Sequence, residues 1–380
     1  WYHLDGKNGV SSIAVGSKSL LTCREEKGNL QLTNVTDGLV SGARALKGGE
    51  KLILSRDMSP KEEPGTEAHV EMGDTSDTAE PAVLDLNGHT LTGFEFDIKA
   101  SSNVEIHGSD QEKSGTILFT DTKCISSSGK LVLRGGTYKN TAGNKVLQVV
   151  NNAEVTLTEG STLLNEAESL DNATGMVIEN RGHLVIGETG TKKVTVTSLV
   201  SKGYNSMIVS YPGDGKPEAA VFVENAEIKT GEGTDNPALQ IKKTRLVMGE
   251  NALISSESKY GTLRVISKYD DPEDKPQLEL NGGAIVNERS AMTRSNGTPT
   301  AIWWNAWWDT APENSNNVSG LLPSDMQTEI KSRYNTPIVF AGHIEGTGIN
   351  NSYIYSCKND GYECKGPDEN GYYYIREYIA

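Results

Sequence analysis

Apolar and polar positions alternate along this chain in short bursts. Residues 146–165, VLQVVNNAEVTLTEGSTLLN, hold two β-branched runs, 146–150 and 154–158, parted by Asn151 and Asn152, and a third run at 162–164 after Gly160. Runs this short, broken by Asn or Gly every five to eight residues, do not suit helices and read as strands. The same order returns at 175–196 and again at 238–254. Equivalent starts at Val146, Met176, Met207, Ala238 and Leu263 give steps of 30, 31, 31 and 25 residues. A period in the twenties to thirties, with three strands and no helix per repeat, predicts a parallel β-helix in which each coil buries its inner face only by stacking on its neighbours.

Residues 1–47 do not follow the repeat. Their short β-type runs predict an N-terminal β cap or appendage that shields the open end of the first coil. Residues 48–380 are then the β-helix. The expected fold is all-β, a single-stranded right-handed solenoid of about nine or ten coils, roughly 45 Å long at the spacing of hydrogen-bonded strands.

Several phrases carry a resemblance. GGEKLILSRDMS from Gly48, AVLDLNGHTLTG at 82–93, SSNVEIHGSD at 101–110, SGTILF at 114–119 and SSSGKLVLRGGTYKN at 126–140 follow one another in a characteristic order. They resemble the opening coils of large bacterial cell-surface proteins with a right-handed, pectate-lyase-like parallel β-helix, and DGYECKGPDENGYYYI at 360–375 resembles their closing strand pair. The resemblance covers roughly 48–380 and implies a secreted or surface-displayed bacterial protein. It does not choose an activity, because the same fold carries lyases, hydrolases, adhesins and stalks. Within it, Asn87 and Gly88 read as a turn pair and His89 as a corner residue.

Composition fits a stack of small coils: 36% hydrophobic residues, 40 glycines and many Asn and Ser. The net charge of −15, from 51 acidic against 36 basic residues, argues against nucleic acid or an anionic membrane as partner. No apolar run approaches the roughly 18–20 residues of a membrane span. A chain that starts at Trp1 without a leader-like segment is expected to be processed or excised. Of four cysteines, Cys357 and Cys364 flank a polar stretch that a disulfide could close as a hairpin staple; two free buried thiols are the alternative.

Polar insertions interrupt the repeat at 57–81, 211–218 and 269–277. In the last of these Asp270, Asp271, Glu273 and Asp274 could hold calcium through hard oxygen ligands, or form a solvated acidic loop. The strongest anomaly is AIWWNAWWDTAPE at 301–313, where Trp303, Trp304, Trp307 and Trp308 crowd together ahead of Asp309 and Glu313. Strand alternation turns one ring of each pair inward and one outward. Two outward indoles beside carboxylates would suit the apolar face and hydroxyls of a sugar ring, whereas rings that fill a wide coil would be core. A helix is expected just beyond: Ser324 as N-cap with Gln327 after it, Met326, Ile330 and Tyr334 on one stripe, Lys331 and Arg333 in the last turn, and Pro337 following. Residues 314–336 would then form a lid or wall beside the rings.

The search for catalytic sets finds no hydrolase pattern, since His343 is followed by Ile and no Arg-x-Lys occurs. No Ser-His-Asp order, phosphate loop or H-E-x-x-H is present. The sequence therefore points to a non-catalytic adhesin or glycan-binding module, with a host or dietary glycan or a cell-surface protein as partner. A glycoside hydrolase or polysaccharide lyase using the same groove is the alternative, with Asp309 and Glu313 a possible carboxylate pair. A stalk or filament subunit whose coil ends stack is a third reading.

Overall fold

The computed structural model describes residues 2–5, 11–14, 22–24, 29–32, 48–49, 51–54, 57, 59, 69–73, 80–110, 113–167, 174–200, 205–213, 215–216, 218–268, 276–290, 299–307, 320–334, 338–342, 352–353 and 357–379. These residues form a right-handed parallel β-solenoid whose windings contribute one strand to each of three long sheets. One complete winding runs from Lys130–Arg134 in the first sheet through Thr137–Asn140 in the second to Leu147–Val149 in the third. Its successor, Glu154–Thr158, Thr162–Asn165 and Ile178–Asn180, pairs with it in parallel at every strand.

Strand alternation builds the core. In the first sheet Leu84, Ile106, Leu133, Leu157, Ile186, Val223, Met248 and Leu280 lie in register on the inner face, all at most 1% exposed. In the second, Leu91, Ile117, Tyr138, Leu163, Val196, Ile228, Ile254, Ile285 and Ile330 do the same. The outer positions of the second sheet begin with a column of threonines, Thr90, Thr116, Thr137, Thr162 and Thr195, whose β-branched side chains suit a pleated surface.

One inner column is polar. Asn140, Asn165, Ser198, Thr230, Ser256, Asn287 and Ser332 end successive strands of the second sheet, where the chain turns toward the third, and all are buried. A corner leaves backbone groups without ladder partners, and these side chains supply them. Asn287 Nδ2 donates to the carbonyls of Ser258 (2.8 Å) and Thr300 (3.0 Å), and its Oδ1 accepts from Arg289 N (3.1 Å). Asn165 donates to the carbonyls of Asn144 and Met176 in the same way. At one corner glycine is required by contact as well as by conformation: Gly136 has φ +80°, and a Cβ there would lie 2.5 Å from Gly108 Cα.

The windings pair in all three sheets over seven successive steps, giving about seven turns rather than the nine or ten expected. At the ends, windings lack one of the three strands: none in the second sheet accompanies Lys51–Ile53 and His69–Met72, and none in the first accompanies Glu329–Ser332 and Val339–Gly342, among the described residues. The fully paired part is therefore about 34 Å long. The first sheet is extended by an antiparallel meander, Tyr2–Asp5, Ser11–Ala14, Thr22–Arg24 and Asn29–Leu32, the last strand lying parallel to Lys51–Ile53.

The expected helix after Ser324 does not form. Residues 324–325 turn, and Glu329–Ser332 is a strand lying on Ala284–Asn287, with Ile330 over Ile285. The Met326, Ile330, Tyr334 spacing matched a helical stripe, but the open strand edge of the preceding winding offers a ready ladder that overrides local propensity. Residues 320–334 are accordingly part of the next winding and not a lid. The single helical turn among the described residues is a short 3₁₀ segment, Cys357–Asp360. It leads into an antiparallel pair, Tyr362–Lys365 and Tyr373–Glu377, which closes the second sheet. Asp360 fastens this cap by accepting from the backbone N–H groups of Gly320, Leu321 and Leu322 at 2.5–3.0 Å. No helix among the described residues is long and apolar enough to cross a membrane.

Candidate functional site

The residue after each inner polar residue of the second sheet begins the corner and points away from the core. Its backbone N–H donates to the winding before: Gly231 N to Ser198 O (2.7 Å), Glu288 N to Ser256 O (2.8 Å) and Arg333 N to Asn287 O (3.0 Å). Side chains at this position therefore stack winding upon winding. In the last four windings they are Gly231, Glu257, Glu288 and Arg333. Gly231 adds no side chain, and beside it opens a cavity of about 360 Å³. Three carboxylates (Glu232, Glu257, Glu288) and two cations (Lys229, Arg333) line it, with Thr230 and Ser256 at its base.

These groups are partly preorganised. Glu257 Oε2 accepts from Gly233 N at 2.8 Å. Arg333 donates through Nε to Glu288 (2.7 Å) and through Nη2 to Tyr372 Oη (2.6 Å), and its guanidinium lies 4.2 Å from the centre of the Tyr372 ring. Tyr372 Oη in turn donates to Glu288 at 2.8 Å. This bond and burial push the Tyr372 phenol upward from its ordinary pKa, burial acting most strongly. Behind the wall, Arg289 ties the corner together by donating to Asp235 (2.6 Å) and to the Glu257 carbonyl (2.9 Å). Thr230 is 2% exposed, and its hydroxyl is buried without a hydrogen-bond partner.

The sequence-predicted residues lie elsewhere. Trp304 faces the core at 1% exposure, between Val265 and Ala341 in register. Trp303 lies on the outer side of the third sheet, yet it is 4% exposed, stacked on Tyr260 with ring centres 5.9 Å apart and on the Arg264 guanidinium at 5.1 Å. Neither described indole offers an open face. Trp307 belongs to the strand Ile302–Trp307, with its side chain outside the described residues. Trp308, Asp309 and Glu313 also lie outside them, as do Asp270, Asp271, Glu273 and Asp274 of the expected calcium loop. Cys357 and Cys364 are brought together, unbonded, with sulfurs 3.0 Å apart.

One group among the described residues has the composition of a metal site, His69, Glu71 and Asp97 on the third sheet. The Lys99 ammonium already stands between its carboxylates, 2.8 Å from Glu71 and 2.9 Å from Asp97. A cation is thus built into the cluster, and a metal would have to displace it.

The outer face of the third sheet also carries a buried carboxylate. Glu179 is 6% exposed and accepts from Lys145 (2.5 Å), Arg181 (2.7 Å) and Tyr211 Oη (2.7 Å). Burial alone would raise its pKa, but the three donors outweigh burial and hold the carboxyl down at about 2. Tyr211 reaches it where residues 211–213 lie against the sheet, with Gly213 N donating to Asn151 Oδ1 at 2.9 Å.

The architecture defines this chain as a right-handed parallel β-solenoid with a polar cavity at one corner. Comparison with protein-family models, with curated proteins and with solved structures finds no match in any of the three.

Proposed function

We propose that this solenoid is a non-catalytic glycan-binding module of a secreted or surface-displayed bacterial protein of the pectate-lyase-like type, and that the corner cavity is its sugar site. The supporting observation is the lining itself. A cavity of about 360 Å³ lies within the range of small-ligand pockets, and its described lining offers charged side chains of both signs. A polyhydroxylated ligand needs interleaved acceptors and donors and no deep apolar anchor. Glu232 and Glu257 would accept from sugar hydroxyls, Lys229 would donate, and Arg333 is already oriented by Glu288 and Tyr372.

Screening the whole chain on a glycan array identifies the ligand, and calorimetry with that glycan measures it. Replacing Glu257 by Gln removes a charged acceptor, so affinity should fall about 10-fold or more. Glu232→Gln should weaken binding with no loss of the fold. Binding unaffected by both substitutions would overturn the assignment. The catalytic alternative keeps one specific support, two carboxylates, Glu257 and Glu288, on one cavity. Release of reducing ends from the bound glycan, abolished in Glu257→Gln, would replace the binding reading with a hydrolase.

A further inference from the structure

Arg264 has an unusual setting for a cation. It stands on the outer face of the third sheet, in register between Gln240 and Trp303, and is partly buried. Its guanidinium lies over the Trp303 ring at 5.1 Å, and Trp303 in turn stacks on Tyr260. Nε is fully buried with no hydrogen-bond partner. The polar contact of Arg264 is a long one, 3.5 Å from Nη1 to Gln240 Oε1, an oxygen that also accepts from Ser206 Oγ at 3.4 Å. No carboxylate among the described residues pairs with it. The nearest on the same outer column, Glu179, is three windings away, about 14 Å, and is already saturated by Lys145, Arg181 and Tyr211.

Elsewhere the chain matches its half-buried arginines with acids, as Arg134 with Glu105, Arg181 with Glu179, Arg289 with Asp235 and Arg333 with Glu288. With 51 acidic residues against 36 basic, an arginine left without one is not a consequence of surplus cations. Burial pulls the Arg264 pKa downward, with Tyr260 acting weakly against it. An uncompensated buried charge is costly, and the cost falls when an anion arrives.

We propose that Arg264, with the Gln240 amide beside it, forms an anion site on the outer face of the third sheet that takes a planar carboxylate. The guanidinium fork fits the two oxygens of a carboxylate, and the free amide nitrogen of Gln240, whose oxygen is occupied, supplies a further donor. Trp303 fixes the plane of the fork, and Tyr260 fixes Trp303.

The test is a calorimetric titration of the whole chain with glucuronate, acetate, inorganic phosphate and methyl glucoside. Glucuronate should bind saturably, with methyl glucoside and phosphate at least about 10-fold weaker. Acetate equal to glucuronate also supports the carboxylate site and leaves the sugar ring outside it. Arg264→Gln should abolish saturation, and Gln240→Leu, which keeps the cation and its stacking, should weaken it several-fold. Glucuronate binding unchanged in both variants, phosphate binding as tightly as glucuronate, or no saturable carboxylate binding by the unsubstituted chain would each overturn the proposal. The site is on a different surface from the corner cavity, so failure of glycan binding there leaves this titration unaffected.

Discussion

A carboxylate on the outside of a β-sheet normally faces water, and Glu179 does not. Because its pKa in the fold lies near 2, below the ordinary carboxylate value, it contributes stability that is fully present above about pH 4.5 and is lost as pH falls toward 2. Urea unfolding at pH 6 and pH 3 should therefore show a drop in midpoint, and Glu179→Gln should reduce that drop. At pH 6 the same substitution should cost about 3 kcal/mol, since it leaves Lys145 and Arg181 without their acid. Asn287 works in the opposite polarity, as a neutral residue saturated by three backbone partners. Asn287→Ala should destabilise by about 2–4 kcal/mol in the same assay, and retention of full stability would contradict the corner's dependence on it. The sequence shows these asparagines only as punctuation. The inward column of Asn140, Asn165 and Asn287 becomes visible only when the windings are aligned.

Among the elements, the strands were largely legible because burial alternates along them with period two, as in Val194–Ser198 and Asn103–His107. The helix after Ser324 was misread for a physical reason. Capping residues and a three-point stripe are local signals, whereas the strand edge that captures Ile330 belongs to residues 284–287, out of reach of any local window. Trp303 and Trp304 alternated about the sheet as strand geometry requires, but the cover over Trp303 comes from Tyr260 on the preceding winding, which no local reading supplies. The C-terminal cap makes its own prediction. Cys357 and Cys364 join the 3₁₀ turn to the closing strand, and the contact with Cys364 brings the Cys357 thiol down to about 7. Mild oxidation should remove two titratable thiols and raise the unfolding free energy by about 2–3 kcal/mol, an effect absent in Cys364→Ser. Thiol titration with and without reductant, followed by denaturant unfolding, checks both.

At the scale of the whole molecule, register does the work that a compact fold assigns to tertiary packing. Each winding delivers the same corner position to the same edge, so residues distant in the chain become neighbours by repetition. That is why the cavity was missed in the sequence: Glu257, Glu288 and Arg333 are ordinary surface residues in unrelated local contexts, and they share only the place after Ser256, Asn287 and Ser332. The regular strand runs disclosed the solenoid; the site needed the alignment of its corners. Gly136, pressed against Gly108, tests the stacking directly, since Gly136→Ala combines a positive φ with a backbone clash and should lower stability by more than about 1 kcal/mol. The most direct test of the account is hydrogen exchange of the chain saturated with its array-selected glycan. Protection is expected together at residues 229–233, 256–257, 288 and 333, one corner on successive windings. Protection confined to the tryptophan segment around 303–308, or to a single winding, would contradict it.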